Sequence, residues 1–374
     1  MGSNYVKNLH QVEEIELTAV CDIDKSRLEY ALSIRPELEV YEDAEEMFEK
    51  APLDAVIICT PHYLHPPIAV KAFEHGLNVI SEKPAGVYAL QVREMIMAAE
   101  KSGKLFGVMF NQRTNPLYQK VREIVRSGEL GELKRVIWII TNWYRSQSYY
   151  DSGSWRATWK GEGGGVLLNQ CPHNLDLLQW MTGMPCGVRA FLKYGRNRDI
   201  EVENDVTAYL EYANGATGLF VTSTHETPGT NRLEVSGDQG KLIVEDGKLL
   251  FYRNQVSEKE FNATWTKGFG QPPYDVLDIT PAETEGLKEH MAVFQNFARA
   301  LLYGEELLSK GEEALNEVCL SNAMHLSDWT KETVDPSHLD DVLFQKLLRE
   351  RIDASTVEKK STGGALDVEG SFNS

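Results

Sequence analysis

No apolar run in the sequence approaches the roughly 18–20 residues that a membrane-spanning helix needs. The first twenty residues are broken by Glu13, Glu14 and Glu16 and carry no secretory-signal pattern. Basic residues are in deficit, 38 Lys and Arg against 56 Asp and Glu, for a formal charge of −18. Nucleic acid and anionic membrane both reward basic surface, so neither is expected as a partner. Cysteine is scarce too: the five, at 21, 59, 171, 186 and 319, form no paired framework and show no metal-ligand spacing. Reduced thiols in a cytoplasmic protein are the simplest account. His62 and His65 lie three apart, but no cysteine or carboxylate cluster completes a site, and no metal is expected.

What is present is ordinary for a globular protein: 374 residues, 42% hydrophobic and 25% charged, enough for two domains and two cores. Strand-like runs at Ile15–Cys21, Ala55–Cys59, Leu77–Ile80 and Leu105–Phe110 alternate with helical patterns at Lys25–Ile34, Ala44–Lys50, Pro66–His75 and Leu90–Ser102. Such alternation predicts βαβ units and a Rossmann-type, doubly wound parallel sheet over residues 1–112. A helix at Pro116–Ser127 and a long strand at Leu133–Tyr144 follow. Strands then dominate, with Asn214-Gly215 and Asp246-Gly247 as two type I′ hairpin signals. Residues 113–352 therefore read as an α+β domain with a large, open, mainly antiparallel sheet. Helices are predicted at Leu287–Tyr303, Glu312–Trp329 and His338–Arg351, and the polar stretch 353–374 as a disordered tail.

Two segments carry chemistry. Gly163–Gly165 opens an apolar helical pattern bearing Asn169, His173 and Asp176 at spacings i, i+4 and i+7, which predicts one helix face, although Pro172 can mark the true first turn. Ser81-Glu82-Lys83-Pro84 puts a lysine at the carboxyl end of a parallel strand, where open α/β sheets bind ligands. A histidine and a cation on rigid elements are the parts needed to oxidise an alcohol: a base for the hydroxyl proton and positive charge for the oxygen. Asp22, closing the first predicted strand, suits ribose hydroxyls and repels a 2′-phosphate, which favours NAD over NADP; helix capping is its plainer role.

These two segments resemble the glucose–fructose oxidoreductase / inositol 2-dehydrogenase / MocA family of nicotinamide-dependent oxidoreductases. The resemblance implies an active-site lysine at Lys83 and a histidine at His173; His173 is favoured as base with Lys83 as electrostatic partner, and a Lys83 whose pKa burial lowers is the alternative base. It also implies that Thr60-Pro61 with His65 is the family's Thr-Pro-x-x-x-His cofactor turn, and that Trp155-Arg156 stand beside cofactor and substrate. Glu82 and Asn111 end strands in the same way. Arg113, Tyr144, Arg145, Tyr149 and Asp176 are further candidates for the substrate pocket, with packing or salt-bridge roles as the alternative.

Two departures stand out. The opening Met1-Gly2-Ser3-Asn4-Tyr5 looks like the last glycine of a GxGxxG loop, with Gly2 and Ser3 at the phosphate. The preceding strand and first two glycines are not in the sequence, which predicts a first domain incomplete at its start. Asn169 stands where the family more often has aspartate, and an amide cannot relay a proton.

The expected activity is hydride transfer between NAD and a secondary hydroxyl of a sugar, cyclitol or related polyol, in a homodimer or homotetramer. The alternatives are an NAD-retaining glycosidase that works by transient oxidation and elimination, or a non-catalytic binding protein on the same fold.

Overall fold

Residues 1–282 and 285–357 are described by the computed structural model, so the expected tail lies from residue 358 onward outside the described residues. Residues 1–114 and 285–318 pack as one unit, and residues 115–282 and 319–357 as a second.

The first unit contains the parallel strands. β1 (Ala19–Cys21) pairs with β2 (Glu39–Tyr41), and β3 (Ala55–Ile58), β4 (Asn78–Ser81) and β5 (Phe106–Val108) form a three-stranded parallel sheet in that order. Among the described residues no ladder joins β1 to β3. The connecting helices span Lys25–Ile34, Ala44–Lys50, His65–Glu74 and Ala89–Ser102, each within one residue of the sequence reading. Asp24 and Asp43 cap the first two by accepting the N–H of Ser26 and Glu46. β1 is shorter than predicted because Ile15 and Leu17 serve as core side chains ahead of the ladder, which starts where Glu39 N–H meets Thr18 O at 3.0 Å. β2 has a largely exposed edge pattern with no alternation, and its sequence signal is correspondingly weak.

One core of this unit gathers Tyr5, Leu9 and Val12 from the N-terminal segment, Ile80 and Met109 from the sheet, and Met291, Phe294 and Phe297 from the helix Glu289–Tyr303. Tyr5 and Phe294 meet edge to face with ring centroids 4.8 Å apart. The helix Glu289–Tyr303 thus belongs to the same unit as the parallel strands.

In the second unit β6 (Leu133–Ile140), β7 (Gly187–Tyr194), β8 (Glu203–Glu211), β9 (Thr217–Ser223), β10 (Asn231–Gly237), β11 (Gly240–Glu245), β12 (Lys248–Asn254) and β13 (Tyr274–Asp278) make one eight-stranded sheet. Its order is β13-β12-β11-β10-β6-β9-β8-β7, and only β6 and β9 run parallel. Side chains alternate along the strands. Val136, Trp138, Val188, Ala190, Val206, Ala208 and Phe220 are buried on one face, while Phe191 and Tyr209 are 54% and 42% exposed on the other.

The second hairpin has the predicted type I′ backbone, with Asp246 at φ 50° and Gly247 at φ 72°. The first does not: only Gly215 is left-handed, at φ 84°, and Asn214 instead donates its amide to Leu133 O and accepts Ala216 N–H. That side-chain bonding replaces the strained pair a type I′ turn needs. Among the described residues no helix is long and apolar enough to cross a membrane.

Candidate active site

In the first unit the chemistry-bearing residues stand at the carboxyl ends of the parallel strands. Thr60 and Pro61 follow β3, Glu82 and Lys83 follow β4, and Asn111 follows β5. Asn111 is 1% exposed, and both polar atoms of its side chain are buried with no hydrogen-bond partner among the described residues. The hydroxyl of Thr60 is buried in the same condition. An unsatisfied buried amide costs on the order of 1–3 kcal/mol, so such groups at a ligand-binding edge fit a polar cofactor that completes them. Asp22 is half-buried after β1, and its Oδ1 accepts Asp24 N–H at 2.9 Å; the helix cap itself is Asp24. Gly2 and Ser3 form the first turn of the helix Gly2–Asn8, which has no side-chain cap.

Three further candidates of this unit carry internal contacts. His65 is 1% exposed, with Nε2 at 2.6 Å from Thr60 O and Nδ1 at 2.8 Å from Pro84 O. Its two ring nitrogens lie against these carbonyls, so His65 ties the turn after β3 to the turn after β4. Burial pushes its pKa down, opposed by the two carbonyls. Glu82 turns inward: it accepts the Tyr5 hydroxyl at Oε1 and, at Oε2, the backbone N–H of Lys83 at 3.2 Å. It shapes the turn that presents the half-buried Lys83. Arg113 is fully buried, donating to Leu308 O at 3.0 Å and paired with Glu313, so its guanidinium fastens the segment Leu308–Glu313.

In the second unit the glycine run answers to β8. A Cβ on Gly165 would lie 1.9 Å from Glu203 O, and one on Gly164 would lie 2.8 Å from Leu168 Cδ1. Glu203, fully buried, accepts the N–H groups of Gly165 and Leu167 at Oε1, at 2.8 and 3.0 Å, and its Oε2 lies 3.0 Å from Nε2 of His325. Residues 166–171 form turns, and the helix begins only at Pro172, its first position. Asn169 therefore precedes the helix, and the predicted single face with His173 and Asp176 does not form. His173 sits half-buried in the first turn. Asp176 is fully buried and accepts Gln179 Nε2 at 3.1 Å on the same helix.

A polar network surrounds Asn169. Arg156 Nη1 donates to the Tyr149 hydroxyl at 2.9 Å, and Gln170 Nε2 donates to it at 3.2 Å. The Arg156 guanidinium lies 4.7 Å from the ring centroids of both Tyr149 and Trp155. Tyr149 in turn donates to Asn169 Oδ1 at 3.4 Å, and Asn169 Nδ2 donates to Glu162. Glu162 is 2% exposed and also accepts Ala157 N–H at 2.5 Å. Burial raises its pKa to about 6, against the opposing pull of Asn169 and Arg156. Tyr144 is exposed, with the Arg198 guanidinium 5.1 Å from its ring. Sequence reasoning passed over Glu162 and Glu203. The available signal was a carboxylate directly before three glycines in an otherwise apolar stretch.

Residues 1–110 match the family described as an oxidoreductase family with an NAD-binding Rossmann fold, and residues 118–243 match the GFO/IDH/MocA C-terminal domain. The rhizopine catabolism protein MocA of Rhizobium meliloti is 29% identical over 233 residues, 61% of this chain and 70% of that protein. The trans-1,2-dihydrobenzene-1,2-diol dehydrogenase of Bos taurus is 27% identical over 290 residues, 74% of this chain and 82% of that protein. Among solved structures, the WlbA dehydrogenase of Chromobacterium violaceum, in complex with NADH and UDP-GlcNAcA, aligns with a TM-score of 0.75 at 27% identity, covering 89% of this chain and 92% of that one.

Proposed function

The chain belongs to the GFO/IDH/MocA family of NAD-binding oxidoreductases, and from that premise we propose that it moves a hydride between NAD and a secondary hydroxyl of a sugar, cyclitol or related polyol. The observation that carries this reading is the buried, unpartnered Asn111 amide and Thr60 hydroxyl at the strand ends of the NAD-binding region. Bound NAD supplies the hydride acceptor. Asn111 and Thr60 would hold it by completing their own hydrogen bonds, and Asp22 would accept from ribose hydroxyls, favouring NAD over NADP.

His173 is the group assigned to take the hydroxyl proton on its imidazole. Lys83 is assigned as the cation that stabilises developing negative charge on a substrate oxygen. Arg156, Tyr149 and Asn169 offer hydrogen-bonding groups suited to a polyhydroxylated ligand. The WlbA relative, solved with a nucleotide sugar and NADH, supports the substrate class. The exposed Phe191 and Tyr209 on the outer sheet face support assembly into a homodimer or homotetramer.

The test is NAD reduction followed spectroscopically across a panel of sugars and cyclitols. Turnover of at least one is expected. Cleavage of glycosides without NADH release would move the assignment to elimination chemistry, and NADH binding with no turnover of any kind would leave a binding protein.

A further inference from the structure

The bonds around Asn169 all point one way. Arg156 is donor-only, and a carboxylate is acceptor-only. The Tyr149 hydroxyl accepts from Arg156 and Gln170, which fills both its lone pairs and sends its single proton toward Asn169 Oδ1. The Asn169 amide then has one orientation, Nδ2 toward Glu162 and Oδ1 toward Tyr149. A carbonyl oxygen takes two donors, and the Tyr149 contact, at 3.4 Å, is a long one.

We propose that Glu162 is a positioning residue for substrate: its carboxylate locks the Asn169 amide so that Oδ1 accepts a hydroxyl of the polyol. The inference rests on the sugar or polyol dehydrogenase reading and extends it to a residue that never touches the substrate. A carboxyl group that gains a proton can donate as well as accept. The lock then loses its direction, because Asn169 can turn its oxygen toward Glu162 instead. The groups facing Glu162 are Arg156, Asn169 and the Ala157 N–H, which favour the carboxylate, and Glu203, which disfavours it; Tyr150 also feels its charge. Glu203 Oε2 lies 3.0 Å from His325 Nε2. With its pKa raised to about 6, Glu162 changes state just below neutrality.

The experiment measures kcat and KM for the polyol substrate from pH 5 to 8 in the wild-type chain and in Glu162→Gln and Glu162→Asp, alongside calorimetric binding of myo-inositol and methyl glucosides to the NADH-loaded chain. In the wild type, KM should rise about tenfold as pH falls through 6, as expected for loss of one oriented hydrogen bond, with kcat changing much less. Glu162→Gln should show the high KM at every pH and no limb near 6. Glu162→Asp, which keeps the charge, should restore the limb.

A limb that persists in Glu162→Gln, or an equal loss in kcat with KM unchanged, overturns the proposal. If Glu162→Gln does not fold, Tyr149→Phe replaces it: removing that donor should leave the pH limb in place, and its disappearance counts against the lock. Polyol binding without any turnover overturns the dehydrogenase reading alone. No polyol binding at all overturns both.

Discussion

Glu203 holds the backbone N–H of Gly165 at 2.8 Å, and the carbonyl of the same glutamate leaves no space for a side chain there. The three glycines look in the sequence like the start of a helix, but Gly165, the last of them, lies directly against the first residue of β8. Through that contact the buried start of β8 fixes the segment that carries Asn169 and leads into His173.

Gly165→Ala should therefore be costly. Its Cβ would sit 1.9 Å from a backbone oxygen, so a strand or the loop must move. Overpacking against backbone destabilises by about 1–3 kcal/mol or more. Thermal unfolding should register the loss, and an unchanged melting temperature would mean the loop is not pinned by β8.

Asn111→Leu separates fold from ligand. Replacing a buried amide that lacks partners by an apolar side chain of similar volume removes a penalty of about 1–3 kcal/mol, so the unliganded chain should become as stable or more stable. NADH affinity should fall at the same time. Lower stability with unaltered affinity would assign Asn111 to the core.

Glu162 gives a stability profile with a definite sign. Its pKa is raised from the ordinary 4.5 to about 6 by burial. Between those values the folded chain holds a proton that the unfolded chain releases, so stability is greater at low pH and falls as pH rises through this window. The difference is on the order of 2 kcal/mol. Glu162→Gln should flatten the curve between pH 4.5 and 6 and should not lower stability at pH 7.5. A large loss there would make the carboxylate a structural group.

Lys83→Ala and His173→Ala should each lower turnover by about 10²–10⁴-fold with the fold intact, as for loss of a charge stabiliser or general base. Near-full activity in either variant removes that residue from the mechanism. Asp22→Ala should weaken NAD more than NADP, and an unchanged ratio would refute its ribose role.

How far the sequence was legible depends on how far apart the partners lie. Thr60, Lys83 and Asn111 could be placed at strand ends because apolar periodicity and turn residues are local signals. Arg113 could not be read, since its partner Glu313 lies 200 residues on. Glu162 is different: its partners Ala157 and Asn169 lie within seven residues, but the spacing follows no helix or strand period. Asn169 was set on a helix because the apolar spacing continues through 166–171. Hydrogen bonds back to Gly165 and Val166 turn that segment before Pro172 can begin the helix. The carbonyls of Thr60 and Pro84 on either side of the His65 ring were not legible either, since Pro84 lies 19 residues on.

The central claim, that this chain is an NAD-dependent oxidoreductase, is tested most directly by titrating NADH into the purified protein and following protein and nicotinamide fluorescence. Saturable binding, weakened in Asn111→Leu, is the predicted result. A folded chain that shows no saturable binding would contradict the account.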